Sequence, residues 1–239
     1  MTRTWIRSMV LAAGVGSLTA VSPAHAAEPS SPTPAEALAR LKDGNARFVA
    51  GRSQAVPMDA PRRNELLASQ HPFAIVLSCA DSRVPPELVF NVGLGDLFVI
   101  RTAGEVADRA VLASVEYAVE HLHTPLLLVM GHQSCGAVQA ASEPHTGSLG
   151  PNLDYLVHEI EPAVARTAAV PADARMKAAI MENIEQVIHE SLTRSAILKH
   201  AVQDGHLQMV GGFYELATGT VTFTKPTTAD AVHTAHVRK

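Results

Sequence analysis

Three short, unbroken apolar runs constrain this chain more than anything else in it: Phe73–Ser78 (FAIVLS), Leu97–Arg101 (LFVIR) and Leu126–Met130 (LLLVM). A strand with one wet face alternates apolar and polar residues, whereas a continuous run belongs to a strand covered on both faces. Between the second and third runs, Val111, Val115, Ala118, Val119 and Leu122 recur at helical spacing within Val106–Leu122. Strand, helix and strand in this order imply right-handed crossovers and a parallel sheet. The predicted fold is therefore α/β, with a Rossmann-like core: a mostly parallel four- to five-stranded sheet flanked by helices.

The flanking segments fit around that core. Thr33-Pro34-Ala35-Glu36 reads as a capping box with proline in the first turn, so a helix starts there and ends near Gly51. Pro57–Pro61 is expected to break the chain before a second short helix through Glu65–Ser69 to Gln70. Short helices after Pro85 and after Cys135 complete the connections. Past the turn at Gly147–Pro151, two helical segments are predicted at 153–168 and 172–203, the second bent or split and stopped by Asp204-Gly205. LQMVGGFYEL and TVTFT then read as a fourth strand and its hairpin partner, and the tail 225–239 as flexible. One domain, 27–224, accounts for the chain.

The first 26 residues are set apart. Arg3 and Arg7 precede an apolar stretch, Met9 to Val21, and Ala24-His25-Ala26 offers a small-x-small cleavage pattern. This predicts a Sec-type signal peptide cleaved near Ala26, and a periplasmic protein. Removing Arg3 and Arg7 leaves 17 basic against 23 acidic residues, a net charge of −6, which argues against nucleic acid or an anionic membrane as partner. The chain has two cysteines, Cys79 and Cys135. In an exported protein they would most simply form one disulfide.

The first and third runs both end in groups that bind metals. Cys79 closes the first, followed by Asp81 and Arg83; the third runs into Gly131-His132-Gln133-Ser134-Cys135-Gly136. Ligands of an open parallel sheet collect beyond the carboxyl ends of its strands, so Cys79, His132 and Cys135 can converge across a long sequence separation. Two thiolates and an imidazole suit zinc, with a fourth position left for water or substrate. On the residues alone, zinc, a disulfide and a buried free thiol all stand.

CADSRVPPE, GDLFVIRTAG, VEYAVEHL and GHQSCGAV, in this order, resemble a β-class carbonic anhydrase, and the likeness extends back to LKDGNARFVAG and on to GGFYELATGTV. The resemblance implies one Zn2+ per chain on Cys79, His132 and Cys135. It implies reversible hydration of CO2 to bicarbonate and a proton by attack of zinc-bound hydroxide. It also implies a homodimer or a tetramer of paired dimers, with the N-terminal helices packed on the partner. Asp81 would orient the nucleophile while Arg83 keeps it ionised and off the metal; in a closed form of the family the same Asp becomes the fourth ligand. Gln70, Phe98, Tyr117, Gly136 and Gly104 match substrate-side positions, and His121 a proton-shuttle position, with His123 close by.

One subtype of that family carries an inhibitory bicarbonate site built with a Trp three positions before the first cysteine. Here that position is Val76, and the only tryptophan is Trp5. Arg101 and Tyr214 could supply the rest, but no such site is expected without the indole. Hydrolases of carbonyl sulfide or carbon disulfide share the zinc constellation and form the near alternative. A non-enzymatic domain with a Cys79–Cys135 disulfide is the remoter one.

Overall fold

The computed structural model describes residues 31–227; the segment read as a signal peptide and residues 228–239 lie outside the described residues. Five strands form one sheet in the order β2-β1-β3-β4-β5, with β1 at Ala74–Cys79, β2 at Leu97–Thr102, β3 at Leu126–His132, β4 at Gln208–Tyr214 and β5 at Val221–Phe223. The first four are mutually parallel and β5 pairs antiparallel with β4. β1 and β3 are buried at every position, as their unbroken apolar sequence requires. β2 reads much like them yet is half-buried throughout, because it lies at the sheet edge.

The helices are α1 (Pro34–Val49), α2 (Ala60–Glu65), α3 (Pro86–Val89), α4 (Arg109–Glu120), α5 (Gly136–Ser142), α6 (Pro151–Arg166), α7 (Ala172–Arg194) and α8 (Ala196–Gln203). The Thr33–Glu36 capping box opens α1 in both directions. The second helix departs from expectation: it forms at Ala60–Glu65, not from Glu65 to Gln70. Asp59 caps it by accepting from the Arg62 amide, so Pro61, read as a breaker, sits harmlessly in the first turn. The long helical segment is split at Ser195, which leaves helical geometry and caps α8 through the Leu198 amide. Lys225–Thr227, expected to start a loose tail, still run beside β4, where the Thr227 amide donates to the Met209 carbonyl.

α1 buries Ala37, Leu38 and Leu41 in the core and is tied down by one buried polar side chain. Asn45 donates to the carbonyls of Val89 and Gly219 and accepts from the Val221 amide, tying the helix to α3 and to the β4–β5 hairpin. Gly44 beside it has no room for a side chain, since a Cβ there would lie 1.8 Å from the Phe90 carbonyl oxygen.

The strand order fixes where chemistry can gather. From β1 the chain moves outward to β2, then crosses back over β1 to β3, so the direction of winding reverses between β1 and β3. In such sheets the crevice outside the carboxyl ends of those two strands is the natural binding place.

Candidate metal centre

Cys79 and His132 are the last residues of β1 and β3, and Cys135 caps α5 after the two-residue turn Gln133-Ser134. That turn is tight: Ser134 takes a left-handed conformation (φ 56°), and the Gln133 amide donates to the Tyr214 carbonyl on β4. The Gln133 side chain accepts from the Leu216 amide, a support that no sequence motif announced.

One sulfur or imidazole nitrogen from each of Cys79, His132 and Cys135 falls within 4.8 Å of the others, and all three residues are buried. Both cysteines are free, with their Sγ atoms 3.9 Å apart. A disulfide needs about 2.05 Å. Two thiolates sharing a tetrahedral zinc at about 2.3 Å each would sit about 3.8 Å apart. His132 Nδ1 lies 2.9 Å from the Gln133 carbonyl, so it carries the proton and leaves Nε2 as a lone pair. That Nε2 is buried and has no hydrogen-bond partner. An orphaned imidazole nitrogen beside two unbridged thiols is the donor set zinc takes.

Electrostatics agree. The Cys79 thiol is pushed below its ordinary range by the hydrogen bond it shares with Cys135, by its contact with His132 and by the Gly104 amide, against the opposing effect of burial. Cys135, which supplies the shared proton, is pushed up. Burial works to lower His132, but its contact with Cys79 and that thiol's charge raise it overall.

Asp81 and Arg83 stand at the rim as expected. Arg83 grips the carboxylate in a fork, Nε to Oδ1 at 2.9 Å and Nη2 to Oδ2 at 2.6 Å, and its backbone amide adds a third bond to Oδ1. The guanidinium holds the Asp81 carboxyl well below the usual carboxylate range. Asp81 Oδ2 is 3.8 Å from His132 Nε2, so the carboxylate borders the ligand cluster while committed to Arg83. Sequence reasoning gave Arg101 no part in this centre. Its Nε donates to the Cys79 carbonyl at 3.1 Å and its Nη2 to the Asp81 carbonyl at 2.5 Å, clamping the turn that carries ligand and gate. The sequence shows only that Arg101 ends the second apolar run; its register opposite Ser78, which brings it to this turn, belongs to the sheet.

The expected substrate-side residues divide into two groups. Gly104 and Gly136 lie at the centre, the first donating its amide to Cys79 Sγ at 3.4 Å and the second opening α5 directly after Cys135. Gln70, Phe98, Tyr117 and His121 do not. Gln70 is exposed in the turn before β1, and β1 carries the chain roughly 16 Å from that end to Cys79. Phe98 pairs with Ile75 near the same end, Tyr117 stacks on Phe98 (6.3 Å between centroids), and His121 on Tyr117 (5.1 Å). Val76 is fully buried in β1, and Tyr214 is buried.

A parallel α/β sheet bearing a Cys-His-Cys cluster at its switch point, with a carboxylate held beside it by an arginine, defines a metal centre of the zinc type. The carbonic anhydrase family model matches residues 74–221. Carbonic anhydrase 2 of Mycobacterium tuberculosis is 40% identical over 188 residues, covering 78% of this chain and 90% of that protein. A carbonic anhydrase of Mycolicibacterium smegmatis is 39% identical over 192 residues, covering 79% and 92%. Among solved structures, a Coccomyxa beta-carbonic anhydrase in complex with acetazolamide superposes with a TM-score of 0.64 at 29% identity, over 71% of this chain and 80% of that one. The chain belongs to the carbonic anhydrase family, and its fold is that of the β class.

Proposed function

We propose that this protein catalyses the reversible, zinc-dependent hydration of CO2 to bicarbonate and a proton. The observation that carries this reading is the convergence of Cys79, His132 and Cys135 with Asp81 held alongside but not among them. When bound there, zinc supplies a Lewis acid that makes a coordinated water acidic enough to act as a nucleophile near neutral pH. The protein does the rest. Asp81, ionised by Arg83, is an acceptor fixed at the edge of the cluster, able to orient a water proton away from its attacking lone pair. Gly136, exposed at the mouth, leaves open space beside its backbone amide for a small neutral substrate. Stopped-flow CO2 hydration, followed with and without chelator, tests the reading. Activity that tracks one zinc per chain is expected, and a zinc-loaded protein with no hydration activity refutes it.

We further propose a homodimer in which the β2 edges meet across a two-fold axis. Leu97, Phe98, Val99 and Ile100 present an apolar, half-exposed edge, and Tyr117 is 47% exposed above it. Antiparallel apposition of two such edges brings the Phe98 end of one strand toward the Thr102 end of the other. That arrangement gives Gln70, Phe98 and Tyr117 a use they lack within one chain, as lining for the partner's pocket, with His121 at its margin as a proton relay. Sedimentation of the zinc-loaded protein and of a Phe98→Lys variant tests it: a wild-type monomer would refute the dimer. The Arg3/Arg7, Met9–Val21 and Ala24–Ala26 pattern supports export to the periplasm, with cleavage near Ala26 measurable by mass spectrometry of the exported protein.

A further inference from the structure

The site described so far leaves one buried acid unused. Glu105 has no solvent exposure at all, and only one of its carboxylate oxygens has a partner. It lies in the short turn Ala103–Glu105 that follows β2, where two successive residues, Gly104 (φ 63°) and Glu105 (φ 47°), are left-handed. A side-chain-bearing residue adopts that conformation at a cost, so something must hold it. Its carboxyl passes over Gly131, next to the ligand His132, where a Cβ would lie 2.9 Å from Glu105 Oε1. Burial and, after it, the Cys79 charge push its pKa up to about 8, so it is a neutral acid over much of the ordinary pH range.

The bonds around the turn converge on one residue of α7. Asn183, 1% exposed, donates from Nδ2 both to the Gly104 carbonyl at 2.8 Å and to Glu105 Oε1 at 3.1 Å. Thr102 Oγ1 donates to the Val106 carbonyl at 2.9 Å and closes the base of the turn. The result is that the Gly104 amide points at Cys79 Sγ. We infer that Glu105 and Asn183 form a positioning pair, whose shared hydrogen bonds hold the left-handed turn so that the Gly104 amide donates to the Cys79 sulfur. An N–H donor draws electron density from a thiolate, so that the sulfur gives less to a metal it ligates. Losing the donor makes the sulfur more basic and any metal on it a weaker Lewis acid.

This rests on Cys79 being a metal ligand, and the test keeps the two ideas apart. In the cobalt-substituted protein the sulfur-to-cobalt charge-transfer band reports the thiolate directly. Glu105→Ala and the volume-conserving Asn183→Leu should each shift that band to lower energy. In the zinc enzyme the same variants should move the basic limb of the kcat profile upward by about half to one pH unit, with zinc stoichiometry kept. Glu105→Gln, which preserves the acceptor of the Asn183 bond without the ionisable proton, should restore both wild-type signatures. Folded variants that bind cobalt with an unmoved band overturn the inference, as does a Glu105→Gln that shifts as far as Glu105→Ala. A wild-type protein that takes no cobalt at the cysteines overturns the metal reading instead.

Discussion

The two turns that deliver the thiols differ in construction. The turn after β3 is locked from within: His132 and Cys135 are buried, Ser134 is strained, and Gln133 bonds Tyr214 at the end of β4 through its backbone and Leu216 just beyond it through its side chain. The turn after β1 is held by charge: Asp81 and Arg83 face solvent, and Arg101 clamps two carbonyls from the neighbouring strand. Packing fixes a ligand in one place, whereas a partly solvated ion pair can be exchanged at little cost. The turn after β3 thus fixes two of the three ligands by packing, while the turn after β1 carries the third beside an ion pair. The sheet ends make a related point. A cavity of about 690 Å3 lies among His123, His200 and His206 at the amino-terminal ends of β3 and β4, away from the metal cluster. Convergence of ligand atoms, not cavity size, locates the chemistry.

That contrast can be broken in several places. His132→Ala strikes the rigid turn and should abolish zinc binding and CO2 hydration together, read by metal analysis and stopped-flow; retained zinc would mean the turn is not the anchor. Asp81→Asn strikes the ionic turn and should keep one zinc per chain while lowering kcat on the order of 100-fold. Its partner sets the pH behaviour. Arg83 depresses the Asp81 pKa, so the ion pair's contribution is present above the ordinary carboxylate range and is lost only as pH falls well below it. Arg83→Gln should return the Asp81 pKa upward and start the acid loss of activity at higher pH, visible in a kcat/KM profile. Arg101→Ala removes two charge-assisted bonds and should cost about 10-fold in kcat/KM with zinc retained. Gln133→Ala, the smallest change, removes one neutral bond and should lower stability by about 1 kcal/mol in denaturant unfolding, with activity near wild type.

Much of the centre was legible in the residues. Cys79, Asp81 and Arg83 follow an apolar run within five positions, and His132 and Cys135 follow another. Strand-end placement in a parallel sheet predicts that such groups meet. Other features left no local trace. Pro61 read as a break because its position relative to the Asp59 cap depends on where the helix begins. Arg101 and Asn183 act through register and helix packing across 20 or more residues, and nothing in their own neighbourhoods announces a bond to Asp81 or Gly104.

By itself the sequence determined the element types and named the candidate ligands, because periodicity and donor chemistry are local properties. Only the tertiary structure decided that β2, apolar as β1, is an edge. It also decided that the two thiols stand unbridged at a metal's spacing, and that Gln70, Phe98 and Tyr117 lie at the other end of the sheet from the zinc ligands of their own chain. Those are questions of which strands are neighbours and which ends align, and a strand's own residues carry no record of what lies beside it.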